Sequence, residues 1–434
     1  MSEVKSNSLQ LNKLLRIFSG SFIIRITYTL LGLINSVLLA RALASEQYGV
    51  YVFALSVVSL LAIPTQFGMP TLVMREFAAY HAKEQWGLMK GIALRSHQFV
   101  LVISILVCIF AVIWLIINPN EYSQAKQKVL LVSLLLVPVL SLGALRDGML
   151  QGLHYVILAQ LPERFFRPTL LLFGLLYLVF LFPEGATPNN IIIYYLTCSL
   201  ISFVIGWFLY LKVRPEQVIS AKSEFNTSSW FNSVLPIGVV GGMLALNAQI
   251  SILYLGFLGL DKEVAFFRIA ILGSGFIVIF MQVATSVIAP HFSRLYELRD
   301  YKKIEQLIIK VCCMLSLLTL PLFIIIILYS NEFINIVYGK EYSDAYTLLV
   351  ILAFAQTISA IMGPIATVLL MTKHQKAVAY STIISVSLGI LLHIVLVPSK
   401  GMLGAAIASG VSLVVWNLYL LYQAKKLLPF KYIF

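Results

Sequence analysis

The sequence predicts an all-α polytopic membrane protein, about twelve transmembrane helices in two six-helix halves. Three observations carry that prediction. Of 434 residues, 60% are hydrophobic and 11% charged, against about 25% charged in soluble domains. The apolar residues fall in runs of about 20, the length that crosses a hydrocarbon core of about 30 Å as a helix. The basic residues sort by side of the membrane. A β-barrel would show alternating segments of about ten residues, and the sequence has no such pattern.

Taken in order, the span cores fall at 18–40, 49–69, 94–117, 129–150, 167–182, 191–211, 231–256, 265–289, 307–329, 346–370, 377–397 and 402–422. The first apolar run, SFIIRITYTLLGLINSVLLA, is too long for a signal-peptide core of about 7–15 residues, so it reads as a retained span. Prolines 64, 138, 236, 321 and 364 fall inside spans. Each removes a backbone donor and can kink its helix. The most polar mid-chain stretch, KVRPEQVISAKSEFNTSS at 212–229, separates six spans from six. It divides the chain into an N-lobe at 1–211, a cytoplasmic connector at 212–229 and a C-lobe at 230–434. Each half opens with a long span, a short acidic outer turn and a second span: RALASEQYGVYVFALS, then GFLGLDKEVAFFRIAI. Two halves of equal orientation imply a parallel repeat about an axis along the membrane normal.

With the N-terminus inside, 23 Lys and Arg fall in cytoplasmic segments and 6 in outer ones: Arg41, Lys126, Lys128, Lys262, Lys340 and Lys400. This is the positive-inside pattern, and it places both termini in the cytoplasm. The net charge of +13 is therefore an orientation signal. No basic domain stands outside the membrane to bind nucleic acid.

Enzymatic chemistry has no foothold. The outer loops are short, and the six histidines form no cluster with acids. No phosphate loop of the GxxxxGK[ST] kind is present, nor a selectivity-filter motif. The four cysteines lie in apolar runs without metal-ligand spacing and read as small buried hydrophobes. No metal or cofactor is expected. A transporter remains.

Two basic residues lie outside the orientation pattern: Arg25 in the first span and Arg268 near the outer end of the eighth. All eighteen acids fall in loops or at span ends, Asp147 coming closest to a membrane core. Two accounts of Arg25 stand. Its side chain can snorkel to the cytoplasmic headgroups, or face a cavity. In the second case the cargo supplies the anion. A pyrophosphate offers paired oxygens that suit the planar guanidinium fork. Arg268 divides between anchoring and the opposite wall in the same way. Arg146 at the inner end of span four either pairs with Asp147 or lines the cytoplasmic mouth, which Arg164 and Arg167 flank.

The pattern LLARALASEQYGVYVFALSV resembles the opening of bacterial polysaccharide flippases. These are the O-antigen and capsule repeat-unit translocases of the multidrug/oligosaccharidyl-lipid/polysaccharide exporter superfamily. VATSVIAPHFSRLYELRDYKKIEQLI, IVYGKEYSDAYTLLVILAFAQ and GMLGAAIASGVSLVVWNLYLL agree in order and spacing, so the resemblance covers most of the chain. It implies two lobes around a central, often cationic cavity that opens alternately to each side. The implied substrate is an undecaprenyl-pyrophosphate-linked oligosaccharide, moved from the cytoplasmic to the outer leaflet of the bacterial inner membrane. The implied partners are that glycan, membrane lipids and the polysaccharide polymerase machinery. Asn35, Gln66, Asn247, Gln249, Gln282 and Gln356 are candidate sugar contacts beside the arginines, the alternative for each being a hydrogen bond between helices. The runner-up is an ion-coupled small-molecule exporter. It is disfavoured because drug antiporters of the superfamily commonly hold an acid in the N-lobe core. A membrane glycosyl polymerase or ligase is disfavoured by the short outer loops.

Overall fold

The computed structural model describes residues 2–181 and 185–430; residues 2–19, 286, 287 and 290 are described by backbone alone. The described residues are helical, with no strand. The helices are α1 (Ser2–Ala42), α2 (Ser45–Gln66), α3 (Met69–Ala82), α4 (Trp86–Ile117), α5 (Gln124–Leu134), α6 (Leu136–Gly152), α7 (Val156–Leu161), α8 (Arg167–Leu181), α9 (Pro188–Val213), α10 (Glu216–Ser220), α11 (Thr227–Phe257), α12 (Asp261–Glu297), α13 (Tyr301–Val337), α14 (Ala345–Met362), α15 (Ile365–Met371) and α16 (Gln375–Leu427). Eleven helical stretches among the described residues are long and apolar enough to cross a membrane. The last, α16, runs for 53 residues but breaks at Gly401, with φ 53° and ψ −132°. Its two parts match the two final spans read from the sequence, so twelve membrane-crossing segments result. The exposed apolar side chains, among them Phe110, Ile116, Phe180, Leu317 and Ile336, suit acyl chains rather than water.

Residue Gly401 adopts a backbone conformation that is costly for any side chain. A Cβ there would also lie 2.8 Å from Glu263 Oε2. Gly401→Ala is expected to destabilise the fold by roughly 1–3 kcal/mol, read as a lowered melting temperature in detergent.

The chain forms two compact units. One comprises residues 1–43 and 54–245, the other residues 44–53 and 246–434. In the first unit, α3 is a helix where the sequence suggested a cytoplasmic loop. At 14 residues it is about 21 Å long, too short to span. It buries Leu72, Val73, Phe77 and Tyr80 against α6, whose Gly148 and Gly152 let the backbone of Pro70 and the side chain of Phe77 approach. Trp230 Nε1 of α11 donates to Tyr80 Oη at 2.8 Å. Burial of that phenol, the larger influence on it, pushes its pKa up. The connector is docked rather than loose. Lys90 Nζ donates to the Ile219 and Ala221 carbonyls at 2.7 and 2.9 Å, and Arg95 stacks 4.7 Å above the Phe225 ring.

Proline breaks follow the physics of a freed carbonyl. Pro138 has no N–H for the Leu134 carbonyl. The helix breaks at Leu135 between α5 and α6, and the Cys108 thiol donates to that carbonyl at 3.5 Å. Pro364 splits the tenth predicted span into α14 and α15. Of the cysteines, Cys198 and Cys312 are buried, Cys108 half-buried, and Cys313 exposed rather than buried as the sequence suggested.

In the second unit, the first turns of α2 pack on the start of α12 and the segment before α14. Phe53 meets Phe257 edge-on at 5.4 Å, and the Ser45 amide donates to Glu341 Oε1 at 3.0 Å. Hydrogen bonding from Ser45 holds the Glu341 carboxyl below its usual range. A depressed carboxylate stabilises the fold above its unfolded pKa, about 4.3, and that stability is lost as pH falls through the folded value. Acidification below that range should therefore lower the melting temperature less in Glu341→Gln than in the unsubstituted chain.

Candidate functional site

Three polar groupings lie within the units. The first is built on α1. Ser21, Arg25 and Thr29 recur every fourth residue and so share one face of the helix. The Thr29 hydroxyl donates to the Arg25 carbonyl at 3.0 Å. Arg25 itself is exposed on this stripe and forms no ion pair among the described residues. At the base of the stripe, Gln160 of α7 donates to Ser21 Oγ at 3.5 Å, and Arg164 reaches Gln160 Oε1 at 3.5 Å. Arg164 lies within electrostatic reach of Arg25. Asn35, on another face of α1, is 4% exposed and donates to the Pro168 carbonyl at 2.9 Å, holding α1 against α8.

The second grouping is an ionic network. Pro162–Phe166 forms a π-helical turn between α7 and α8, and the helix runs straight through a stretch that reads in sequence as a cytoplasmic loop. Glu163 sits in that turn. It meets Arg167 at 2.6 Å and Arg146 at 3.4 Å, while Arg146 meets Asp147 at 2.7 Å. Arg146 is fully buried. It also donates to the Phe203 carbonyl at 3.2 Å, and a Cβ on Gly206 would strike it. One acid therefore needs correction. Glu163 lies within a membrane-crossing helix of the first unit and not in a loop, while Asp147 sits near the end of its own helix, as the sequence suggested. Glu163 escaped notice because PERFFRP has the proline-bounded, charged composition of a loop. The adjacent arginines at 164 and 167 were the available signal.

The third grouping lies in the second unit. A cavity of about 160 Å³ is lined by Asn247 of α11, Gln356 of α14, and Gly389, His393, Ser409 and Ser412 of α16. It brings together two expected sugar contacts, Asn247 and Gln356, with groups the sequence reading passed over. Serines in apolar helices and a lone histidine carry little signal on their own. The α11 spacing from Asn247 to Ser251 to Tyr254 was the usable hint of one polar face. The lining residues contain no carboxylate and no permanent charge.

The remaining predicted residues are dispersed. Arg268 is half-buried on α12; the sevenfold spacing puts Arg268, Gly275 and Gln282 on one face of that helix, with nothing near Gly275. Gln66 is the last residue of α2, beside Thr65, whose hydroxyl pairs with Ser141 at 2.7 Å. Gln249 is half-buried on α11 and outside the cavity lining.

Comparison with known proteins gives these geometries a family. A family model described as "Polysaccharide biosynthesis protein" matches residues 38–347, and one described as "Lipid II flippase MurJ" matches residues 267–433. A protein of Haloferax volcanii described as "Probable low-salt glycan biosynthesis flippase Agl15" is 25% identical over 387 residues, covering 87% of this chain and 76% of that one. Among solved structures, lipid II flippase MurJ in an inward closed conformation superposes with TM-score 0.73 at 16% identity, covering 94% of this chain and 87% of that one. An inward-facing multidrug resistance MATE transporter of the MOP superfamily gives 0.72 at 14%, covering 93% and 98%. These structural likenesses establish a shared fold: the two-lobed, all-α polytopic architecture of that superfamily. With more than two thirds of its length under the first family model, the chain belongs to the polysaccharide biosynthesis protein family.

Proposed function

We propose that the protein is a flippase for a lipid-linked oligosaccharide. In its finer form, the proposal is an undecaprenyl-pyrophosphate-linked repeat unit carried by alternating access from the cytoplasmic to the outer leaflet, for O-antigen or another surface polysaccharide. The observation that carries it is Arg25, a guanidinium on a polar stripe of the apolar stretch Gly20–Ala42 of α1. It stands beside Arg164, with no described carboxylate paired to it. A charge at the centre of a span costs about 2.5–3.5 kcal/mol; Arg25, toward one end of its span, bears part of that cost, so a ligand that offers an anion is the natural complement. A pyrophosphate can take a bidentate guanidinium contact. Arg268 and Gln282, on one face of α12, are further proposed cargo contacts in the second unit. Asn247 and Gln356 offer neutral amides suited to saccharide hydroxyls. Arg146 plays a different part: it ties α6 to the π-turn and to α9. The setting is the bacterial inner membrane with both termini cytoplasmic, and the partners are the lipid-linked glycan, membrane lipids and polysaccharide polymerase machinery.

Deleting the gene in its host tests the reading. Loss of surface glycan, with lipid-linked repeat units accumulating on the cytoplasmic side and both defects reversed by the intact gene, is the expected outcome. The second reading, an ion-coupled small-molecule exporter, has one observation in its favour: the acids Asp147 and Glu163 in the first unit's membrane helices. Both are already matched by Arg146 and Arg167, which weakens it. Drug resistance on overexpression, with unchanged glycan after deletion, would favour that exporter and overturn the flippase.

A further inference from the structure

The cavity wall in the second unit holds a hydrogen-bond chain whose donors can be counted. His393 is 1% exposed. Its Nδ1 lies 2.7 Å from the Gly389 carbonyl and its Nε2 lies 2.8 Å from Ser251 Oγ. Ser251 Oγ lies 2.7 Å from Ser409 Oγ, and Ser409 Oγ lies 2.9 Å from the Ala405 carbonyl. A carbonyl only accepts, so Nδ1 carries a hydrogen in every state. If the imidazole is neutral, Nε2 must accept from the Ser251 hydroxyl. The Ser409 hydroxyl then has one hydrogen for two acceptors, Ser251 and Ala405, and one of those contacts has no hydrogen. If Nε2 is also protonated, it donates to Ser251, Ser251 donates to Ser409, and Ser409 donates to Ala405. Four contacts become four hydrogen bonds only in this second state.

The two states differ by one proton. A proton arriving on Ser409 Oγ from a hydronium in the cavity forms a new O–H bond aimed at Ala405. The proton that Ser409 held toward Ser251 passes to Ser251 Oγ, and the proton that Ser251 held toward the ring passes to Nε2. With the donor's own O–H counted, three O–H bonds break while two O–H bonds and one N–H bond form, so one proton moves from a hydronium in the cavity to the imidazole and the Ser409 hydroxyl turns to Ala405. Ser409 and His393 both line the cavity, which supplies the entry. The groups facing the ring are uncharged on every side. From α11 come Asn247, Ser251 and the Tyr254 ring, edge-on at 6.4 Å; from α14 comes Gln356; from the later part of α16 come Ser409 and Ser412. No described carboxylate or basic group contacts it.

We infer that His393 is a proton-binding site in the core of the second unit, filled from the cavity through Ser409 and Ser251, and that it switches the cavity wall between neutral and cationic. The inference stands apart from the identity of the cargo, because its readout needs no glycan. The test is solid-state NMR on the full chain carrying ¹⁵N-labelled histidine, in phosphatidylcholine–phosphatidylglycerol vesicles, titrated from about pH 5 to about pH 9. The resonance pair missing from His393→Gln identifies the ring. A chain whose other five histidines are replaced identifies it if that variant does not fold. The expected result is the less common Nδ1–H tautomer at the alkaline end and a doubly protonated ring at the acid end. In Ser409→Ala the tautomer should persist, with the midpoint lowered by at least about half a unit, a threefold loss of proton affinity. An Nε2–H tautomer, a ring that stays neutral throughout, or a midpoint indifferent to Ser409→Ala would each overturn the site.

Discussion

Replacing Arg146 by alanine is expected to destabilise the first unit by about 3–5 kcal/mol, the cost of leaving buried partners of an ion pair uncompensated. The side chain is fully buried and serves Asp147, Glu163 and the Phe203 carbonyl at once. Its loss strands Asp147 inside a membrane-crossing helix and leaves Glu163 with Arg167 alone. Thermal unfolding in detergent, followed by loss of the monodisperse species, reads the effect. A double change of Arg146→Met and Asp147→Asn should recover much of the loss, because removing both members of a buried pair is far cheaper than breaking it, and Glu163 keeps its pair with Arg167. A full-strength defect that persists in the double variant would mean that the damage is steric rather than electrostatic. The surface pair of Lys373 and Glu297, which meet at 2.7 Å with both side chains largely exposed, provides the contrast. Hydrogen bonding from Lys373 holds the Glu297 carboxyl below its usual range, yet exposed pairs of this kind contribute little, and Glu297→Gln should leave the melting behaviour unchanged.

The parts of the fold that were legible in the sequence are those fixed by hydrophobic length and by charge sidedness. Twelve apolar runs became twelve membrane-crossing segments, and the kink residues Pro138 and Pro364 fall at breaks in the helices. What the letters concealed has a common physical cause. A short helix such as α3 pays for its polar ends by packing on glycines Gly148 and Gly152, some 70 residues downstream, and no local pattern announces that partner. The loop-like PERFFRP continues as a helix because a π-turn lets the Arg167 amide and the Ser202 hydroxyl both use the Pro162 carbonyl. Glu163 is then carried inward, where Arg146 and Arg167 flank it. The membrane-crossing helices therefore do carry an acid away from their ends, Glu163. Neither Glu163 nor Asp147 pairs with Arg25.

At the site, single polar residues in spans were visible but their groupings were not. Asn247 and Gln356 stand more than a hundred residues apart in sequence and meet at one cavity. Asn35 looks equivalent to Asn247 in composition, yet its amide is buried against the Pro168 carbonyl. Whether a span amide packs or stays available is decided by the neighbour it finds, and that neighbour lies on another helix.

Arg25→Ala is the second large effect. A charge-assisted hydrogen bond contributes about 1.5–3 kcal/mol, so removing a bidentate contact to a pyrophosphate should slow translocation roughly tenfold to a hundredfold. Arg25→Lys keeps the charge but loses the planar fork, and should fall between. Arg25 is exposed on α1 and bonds to no described side chain, so both variants should fold with unchanged melting temperature. The most direct measurement reconstitutes the purified protein in liposomes loaded with a polyprenyl-pyrophosphate-linked oligosaccharide and follows its exposure on the far leaflet. The account predicts movement by the unsubstituted chain, a rate lowered roughly tenfold to a hundredfold for Arg25→Ala and an intermediate one for Arg25→Lys. Equal rates in all three, or equal movement of a carrier lacking the phosphates, would contradict it.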